Sequence, residues 1–256
     1  MRKRVLRNVD LLMSISLIVP CWREFADARS FAEEWSKVAD VELIFGLSPE
    51  ATHLAAFLRD RYVRVAVSAR AGRGSQMNDA ARMATGDVLL FHHIDSQLTP
   101  AHVAALRAAM QDSACVGGAF YRKFDARHPH LKWLEPIERW HSRAFGTLYG
   151  DQSIFVRRAV FEALGGYADF PIMEDVEFSR RLRPAGPVAL LDPPMETSPR
   201  RHLERGAWRT TFTNIALLAL FHLGVAPGTL HRWYYRKPLL DTAAPVRPLA
   251  GETHEP

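Results

Sequence analysis

The sequence predicts an α/β fold in which a mostly parallel sheet carries helices on both faces. Three observations support this prediction. Residues 14–20 and 87–91 are almost wholly apolar runs, as is typical of strands buried on both faces of a parallel sheet. Segments of helical length separate such runs, and this alternation indicates βαβ crossover connections. His92, His93 and Asp95 follow the second run, at the sheet edge where open α/β sheets bind ligands.

Predicted strands and helices alternate through the first part of the chain. The strand at 14–20 leads into a helix that opens at residues 21–24. A Gly-Arg-Gly turn at 72–74 begins a helix with small residues on one face, which allows close packing against the sheet before the strand at 87–91. The other elements predicted here are strands at 41–45, 62–67 and 114–121 and helices at 49–59 and 100–111.

Glycine and proline delimit the predicted elements of the second part. A helix at 158–163 ends before Gly165 and Gly166, because glycine readily adopts the left-handed conformation of a helix C-cap. Pro184 stops a helix at 174–183. Strands are also predicted at 153–156 and 188–191, and helices at 207–223 and 227–236. The tail at 238–256 is rich in proline and lacks periodicity, so disorder is expected there.

Composition indicates a protein of the reducing cytoplasm. Of its 256 residues 48% are hydrophobic, enough for one substantial domain or two closely packed halves. No apolar run reaches the roughly 18 residues typical of a transmembrane helix. The basic and then apolar N-terminus resembles a secretion signal, but Asp10 interrupts it and the first strand explains its apolar part. Cys21 and Cys115 lack metal-type spacing, so free thiols are expected.

The net charge of +5 favours anionic partners other than nucleic acid. Only five of the 33 basic residues are lysine, which leaves 28 arginines. Arginine suits bidentate phosphate recognition, although a GC-rich coding sequence produces the same bias. No nucleic-acid-binding module is present, and basic residues do not alternate with aromatic ones on one face. Phosphate-bearing substrates and anionic membrane surfaces are therefore the expected partners.

Five short motifs occur in a characteristic order. They are Gly-Arg-Gly-Ser-Gln-Met-Asn at 72–78, His-Ile-Asp at 93–95, Tyr-Gly-Asp-Gln at 149–152, Gly-Gly at 165–166 and Met-Glu-Asp-Val-Glu at 173–177. In this order they resemble the family 2 glycosyltransferases, which have the Rossmann-like GT-A fold. The resemblance is closest to a small bacterial branch that carries Gly-Arg-x-x-Gln-Met-Asn and His-x-Asp. It covers about residues 14–235 and implies a nucleotide-sugar-binding half at 1–122 and a fused half at 123–237. The second half would bind the acceptor and supply the catalytic base.

The His-x-Asp motif implies a cation site. A nucleotide-sugar donor must release a diphosphate, and a divalent cation stabilises the charge that develops on it. Such cations are held by one or two carboxylates together with phosphate oxygens, which assigns Asp95 to Mn²⁺ or Mg²⁺. His93 stands where most of the family has a first carboxylate. Two roles are open for it, a hydrogen bond to the ribose or ligation of the metal, and an imidazole ligand would favour Mn²⁺.

The resemblance assigns the general base to Asp175. An acceptor hydroxyl must lose its proton as it attacks the anomeric carbon, so the chemistry requires such a group. Glu174 would contact the acceptor or orient the base. The alternative is that both acids only complement the dipole of the helix that they begin. Asp151 and Gln152 are expected to bind the acceptor.

Four further residues are assigned to the nucleotide sugar. Arg73 can approach phosphate closely because glycines flank it. Asn78 follows on the same helix and either contacts the nucleotide or is a polar residue on the exposed face. Pro20 and Glu24 match the family's loop after the first strand, and the alternative for Glu24 is an ordinary acid in the first turn of a helix. The family usually has an aspartate after the second strand that grips the nucleotide, but here residues 45–48 read Phe-Gly-Leu-Ser. This departure leaves the base of the donor open, with Ser48 as a weak substitute.

Two segments of the second half have more than one interpretation. The aromatic and basic stretch 123–150 is expected to form a helix that lines the acceptor cleft. His202, beside Arg200 and Arg201, either reaches over the diphosphate or lies on a solvated loop. The segment 212–223, flanked by arginine and aromatic residues, is either a helix at the membrane interface or a helix buried under the cleft.

The leading hypothesis is an inverting, metal-dependent glycosyltransferase that uses a nucleotide-diphosphate sugar and a hydroxyl acceptor, which a lipid could carry. It would be cytoplasmic, with peripheral contact at the inner face of the membrane. A sugar nucleotidyltransferase is one alternative, although that class has its glycine-arginine loop directly after the first strand. A non-catalytic protein that binds nucleotide sugars or docks on membranes is another. The absence of Walker, Gly-x-Gly-x-x-Gly and Gly-x-Ser-x-Gly motifs disfavours P-loop, dinucleotide-binding and hydrolase classes.

Overall fold

A computed structural model describes residues 13–22, 24–61, 63–124, 134–197 and 207–235. The strands are β1 (Ile15–Cys21), β2 (Val41–Leu47), β3 (Arg64–Val67), β4 (Val88–Phe91), β5 (Ser96–Gln97), β6 (Gly117–Phe124), β7 (Phe155–Arg157) and β8 (Val188–Thr197). The α-helices are α1 (Phe25–Trp35), α2 (His53–Arg59), α3 (Arg73–Ala81), α4 (Pro100–Met110), α5 (Leu134–Phe145), α6 (Arg158–Ala163), α7 (Glu174–Leu182), α8 (Ala207–His222) and α9 (Pro227–Tyr235). Short 3₁₀ turns lie at Pro49–Ala51, Gly150–Gln152 and Arg183–Ala185.

The eight strands of the described residues form one sheet in the order β3-β2-β1-β4-β7-β6-β8-β5. The first four strands of this order run parallel, as predicted, with Ile15 of β1 opposite both Val41 and Val88. Strand β7 is inserted antiparallel between β4 and β6, and β5 is antiparallel to β8. Because β7 is reversed, the residues before it reach the same sheet edge as the residues after β4. The expected boundary at residue 122 falls inside β6, so both halves contribute strands to this sheet.

Apolar side chains pack on both faces of the sheet. Every residue of β1 and β4 is buried, which confirms the prediction made from the apolar runs. Leu17 and Phe45 belong to the cluster under α1 and α2, whereas Ile18 and Phe91 belong to the cluster under α3 and α7. Burial of one such side chain stabilises the fold by about 1.5–3 kcal/mol. The two clusters hold the central strands rigidly, so that polar groups at their carboxyl ends keep fixed positions.

Several sequence predictions can be compared directly with the structure. Gly165 and Gly166 both have positive φ angles, 77° and 72°, so the left-handed cap is confirmed. Strand β8 is longer than predicted and continues to Thr197. Residues 198–206, which include His202, and 238–256, which form the expected disordered tail, lie outside the described residues. Within the described part of the chain, no helix is both long and apolar enough to cross a membrane.

Candidate active site

The carboxyl end of β4 is anchored by His92, which is fully buried. Its Nδ1 lies 2.8 Å from the Ser153 hydroxyl and its Nε2 lies 3.1 Å from the Ser96 carbonyl oxygen. Burial lowers the pKa of His92 to about 3, so the ring is neutral at physiological pH. The neutral ring then donates from Nε2 to the carbonyl and accepts the Ser153 hydroxyl proton at Nδ1. His92 thus ties β4 to the segments that begin β5 and β7 and orients the residues that follow it.

His93, Gly150 and Asp175 come together beside this anchor. A Cβ atom placed on Gly150 would lie 2.8 Å from His93 Nε2 and 3.3 Å from Asp175 Oδ2. Only a hydrogen atom fits comfortably at this position, so glycine allows the imidazole and the carboxylate to approach the same stretch of backbone. Two residues predicted for different roles, the metal or ribose contact and the general base, are therefore neighbours in the structure.

The Asp175 carboxylate is fixed by two backbone N–H groups at the start of α7. Gly150 N–H donates to Oδ2 at 2.7 Å, and Val176 N–H donates to Oδ1 at 2.8 Å. Burial, followed by the negative charge of Glu174, raises the pKa of Asp175 to about 6. The Arg73 guanidinium and the two N–H groups act in the opposite direction. A carboxylate with this pKa is ionised at neutral pH and is a stronger base than an ordinary aspartate.

Arg73 joins the first turn of α3 to the first turn of α7. Its Nε lies 2.9 Å from Oε1 of Glu174, whose side chain is only 3% exposed. The Arg73 side chain is 42% exposed, so it is only partly covered by its neighbours. The charges of Glu174, Asp175 and Asp151 all raise the pKa of Arg73, and Glu174 has the largest effect. The result is a cation held beside the candidate base, and a guanidinium of this kind is suited to binding an anion.

The loop after β1 is held by the side chains of Glu24 and Gln76. Pro20 lies at the end of β1 opposite Gly46 of β2. The Glu24 carboxylate accepts the Trp22 backbone N–H at 2.8 Å, which closes the turn that follows. Gln76 of α3 is buried, and its amide donates to the Cys21 carbonyl at 2.8 Å and to the Gly46 carbonyl at 3.3 Å. The sequence prediction did not assign Gln76, although it lies within the 72–78 motif.

Ser48 is also committed to this loop. Its side chain is fully buried, and its hydroxyl donates to the Trp22 carbonyl at 3.4 Å. Its backbone N–H donates to the Cys21 carbonyl at 3.0 Å. Burial raises the pKa of the neighbouring Cys21 thiol to about 12, so this sulfur stays protonated. The position that departs from the family pattern therefore supports the loop from within the fold.

Asn78 bonds with the backbone of Tyr167 through both atoms of its amide. Its Nδ2 donates to the Tyr167 carbonyl at 2.8 Å, and its Oδ1 accepts the Tyr167 N–H at 2.9 Å. A Cβ on nearby Gly74 would approach the Ala168 carbonyl oxygen to 2.9 Å, so α3 and this loop are in close contact. The nucleotide contact assigned to Asn78 stays a prediction. What the structure gives is a link between α3 and the segment that leads to α7.

Asp151 and Gln152 lie in the 3₁₀ turn before β7. Asp151 forms an ion pair with Arg122 of β6, and its other oxygen, Oδ1, is buried without a hydrogen-bond partner among the described residues. Gln152 is buried, accepts the Tyr149 N–H at 2.9 Å and donates to the Ser142 hydroxyl at 3.4 Å. Gln152 thus joins the turn to α5. The acceptor-binding role of both residues remains a prediction.

Asp95 lies two residues beyond His93 and is exposed at the carboxyl edge of the sheet. Among the described residues no group of three or more histidine, cysteine, aspartate or glutamate side chains forms a ready metal-binding cluster. Magnesium-type sites often use one or two carboxylates and take their remaining ligands from phosphate and water. Asp95, with His93 nearby in sequence, fits that smaller ligand set.

Part of the chain matches a known family model, and its fold is similar to solved structures. Residues 47–164 match the family model described as Glycosyl transferase family 2. A search of curated proteins finds no match to this chain. TarS residues 1–349 from S. aureus, in complex with UDP-GlcNAc, superpose with a TM-score of 0.57 at 16% identity, over 73% of this chain and 58% of that chain. The mannosyltransferase PcManGT from Pyrobaculum calidifontis, with GDP-Man and Mn²⁺, gives 0.55 at 15% identity over 87% and 69%.

A third similar structure is glucosyl-3-phosphoglycerate synthase from Mycobacterium tuberculosis, in complex with Mn²⁺, UDP-Glc and glycerol 3-phosphate. It gives a TM-score of 0.51 at 16% identity, over 73% of this chain and 70% of that chain. The chain covers 60% of the length of TarS 1–349, so the relatives extend beyond it. Identities this low show a shared fold, and the predicted GT-A-type architecture is confirmed. The family match within this fold supports an enzyme of the glycosyltransferase class.

Proposed function

We propose that this protein is an inverting, metal-dependent glycosyltransferase that moves a sugar from a nucleoside-diphosphate sugar to an acceptor hydroxyl. The observation that carries the proposal is Asp175. It is a fixed carboxylate with a pKa of about 6, next to His93 at the sheet edge and to the Arg73–Glu174 ion pair. A base on the acceptor side and a cation on the donor side are what a single in-line displacement needs.

In the proposed reaction Asp175 takes the proton of the acceptor hydroxyl as its oxygen attacks the anomeric carbon. The bond between that carbon and the diphosphate breaks at the same time, and the leaving diphosphate gains negative charge. The Arg73 guanidinium stabilises this charge, while Glu174 holds it in place. Attack from the side opposite the leaving group inverts the anomeric centre.

A divalent cation, Mn²⁺ or Mg²⁺, would be held by Asp95 and the donor phosphates, with His93 as a candidate second protein ligand. When bound, it would supply further neutralisation of the leaving diphosphate. Similar structures of PcManGT and glucosyl-3-phosphoglycerate synthase contain Mn²⁺ with nucleotide sugars, which supports a metal of this kind. Their nucleotides differ, GDP in one and UDP in the other, and Ser48 is engaged within its own loop. The nucleotide base of the donor is therefore left unassigned.

A panel of nucleotide sugars with Mn²⁺ or Mg²⁺ tests the proposed function. Release of free nucleoside diphosphate, in a reaction that Asp175→Asn suppresses, is the expected result. Asp169→Asn is the matched control. Asp169 lies in the loop before α7, and its exposed carboxylate forms an ion pair with Arg70. Pyrophosphate-dependent turnover would instead indicate a nucleotidyltransferase. Binding of nucleotide sugar without turnover would indicate a non-catalytic binding protein.

We also propose peripheral contact with an anionic membrane, at the cytoplasmic face. Phe212 and Ile215 of α8 are 65% and 58% exposed, and Trp233 of α9 is also exposed. Residues 207–235 contain no aspartate or glutamate, which favours a negatively charged surface. Co-sedimentation with anionic vesicles should weaken as salt rises and should be lost in Phe212→Ala with Trp233→Ala. Absence of sedimentation at low salt would contradict this contact.

A further inference from the structure

A groove of about 730 Å³ separates α7 from α8. Its volume lies in the range of sites that bind small molecules. Helix α7 and the turn after it form one wall, α8 forms the other, and residues 146–147 close one side. The lining residues are Gly146, Thr147, Val176, Ser179, Arg180, Arg183, Pro184, Ile215, Leu218, Ala219 and His222.

The two walls of the groove differ in character. The α8 wall is apolar except for His222, whereas the α7 wall presents Arg180 and Arg183, both exposed. No carboxylate lies among the described lining residues. Arg180 forms no ion pair within the described part of the chain. An occupant with a hydrocarbon body and an anionic group would match the apolar character of one wall and the positive charge of the other.

The groove is lined by residues that neighbour the candidate active site along the chain. Val176, which lines it, directly follows Asp175, and Thr147 lies three residues before Gly150. Helix α7 therefore has the candidate base at its first turn and the arginines near its other end. Arg183 lies eight positions after Asp175, or about 12 Å along a helix axis. A molecule held by Arg180 and Arg183 could thus extend an acceptor hydroxyl to Asp175.

We propose that this groove binds a phosphate-bearing lipid, an inference that rests on the proposed glycosyl transfer. The hydrocarbon chain of the lipid would lie against α8, and its phosphate would bind Arg180 and Arg183. The lipid is the acceptor, or the carrier to which the acceptor is attached. A second copy of this chain fits the face less well. In an isologous contact the arginines of the two copies would meet, and residues 207–235 offer no acidic partner.

Dodecyl phosphate, used below its micelle concentration, is the probe. Titration calorimetry should show binding to the unmodified protein that inorganic phosphate and dodecyl maltoside do not match. Ala219→Trp, which fills the groove, should weaken binding about tenfold or more. Ala216→Trp is the matched control, because Ala216 is exposed on the same helix but does not line the groove, and its affinity should be unchanged.

The charged wall is tested in the same way. Arg180→Ala with Arg183→Ala should weaken dodecyl phosphate binding, whereas Arg209→Ala, an exposed arginine of α8 outside the groove, should not. Circular dichroism verifies that each variant is folded. Absence of dodecyl phosphate binding would overturn the proposal, as would equal effects of Ala219→Trp and Ala216→Trp, or equal affinity for inorganic phosphate.

A parallel titration with nucleoside diphosphate separates this proposal from the proposed function. Ala219→Trp should keep nucleoside diphosphate affinity, because Ala219 lies outside the donor site. Selective dodecyl phosphate binding in a protein that turns over no nucleotide sugar would support the lipid groove and refute the transferase. Turnover without amphiphile binding would support the transferase and refute the groove.

Discussion

The raised pKa of Asp175 predicts a specific pH dependence of catalysis. The carboxylate accepts a proton in the proposed reaction, so only its ionised form is active. Because burial and Glu174 raise its pKa to about 6, the value of kcat/KM should rise through that pH as Asp175 loses its proton. An ordinary aspartate, with a pKa of 3.8, would already be ionised throughout this range.

The size of the effect follows from the two pKa values. With a pKa of about 6, about nine-tenths of Asp175 is ionised at pH 7 and about one-tenth at pH 5. The value of kcat/KM should therefore fall about tenfold between these two pH values. With an unperturbed pKa the ionised fraction would stay above about nine-tenths, and kcat/KM would scarcely change. Glu174→Gln removes a neighbouring negative charge, so the rising limb should shift to lower pH.

Initial rates of nucleoside diphosphate release, measured from pH 4.5 to 8.5, provide the assay. Asp175→Asn should reduce turnover about a hundredfold or more, the usual scale for a positioned base, and should abolish the rising limb. Donor binding should stay nearly intact in this variant. A wild-type profile that is flat between pH 5 and pH 7 would refute the reasoning about the pKa. Turnover of Asp175→Asn within a few-fold of wild type would leave Asp175 as an acid that only complements its helix dipole.

Three further predictions concern the cation, the packing at the base and the contact between the two halves. Asp95→Asn should abolish metal-dependent binding of nucleoside diphosphate while the fold survives, and unchanged Mn²⁺-dependent affinity by calorimetry would exclude Asp95 from the site. Gly150→Ala should lower kcat about tenfold or more, because the new Cβ would press on His93 and Asp175; wild-type kcat would contradict this packing. Asn78→Ala should lower the free energy of unfolding by about 1–3 kcal/mol in urea denaturation, because two backbone groups of Tyr167 lose their partner. Asn214→Ala, at an exposed position of α8, is the control and should change the free energy of unfolding little. Equal losses of stability in the two variants would refute the role of Asn78.

The central strands could be predicted from the sequence because a strand buried on both faces is an almost continuous run of apolar residues. The apolar runs at 14–20 and 87–91 correspond to β1 and β4, whose residues are all buried. The direction of β7 could not be predicted in the same way, because a short apolar run does not reveal how it pairs. Its reversal brings Gly150 and Asp151 to the ligand edge from the residues before a strand, whereas a wholly parallel sheet would supply only residues after strands.

The length of β8 shows a second limit of sequence patterns. Pro193 and Pro194 argue against a continuing strand, since proline cannot donate a ladder hydrogen bond. In the structure the pairing of β8 with β6 shifts register there, from Phe120 opposite Leu191 to Arg122 opposite Met195. The irregularity accommodates both prolines within one strand. Such a bulge depends on how β8 pairs with its partner strand, so the sequence of β8 alone does not predict it.

Polar residues were the hardest to assign, because their partners are distant in sequence. Gln76 and Asn78 share one motif, yet one amide bonds with β1 and β2 and the other with the segment before α7. His92 and His93 are adjacent, yet the first is a buried neutral anchor and the second lies beside Asp175. Sequence reasoning could identify where polar groups gather, but only the fold separates those that face inward from those that face the cleft.

The contact between α3 and the start of α7 has a consequence for how related sequences can diverge. Arg73 pairs with Glu174, Gly74 packs against Ala168, and Asn78 bonds with Tyr167. A change on one side of such a contact leaves a buried carboxylate or an unpaired backbone group on the other. We therefore expect positions 73 and 174 to covary across an alignment of relatives, as compensating pairs of substitutions. Position 78, whose partners are backbone atoms, should vary independently of the residue type at 167.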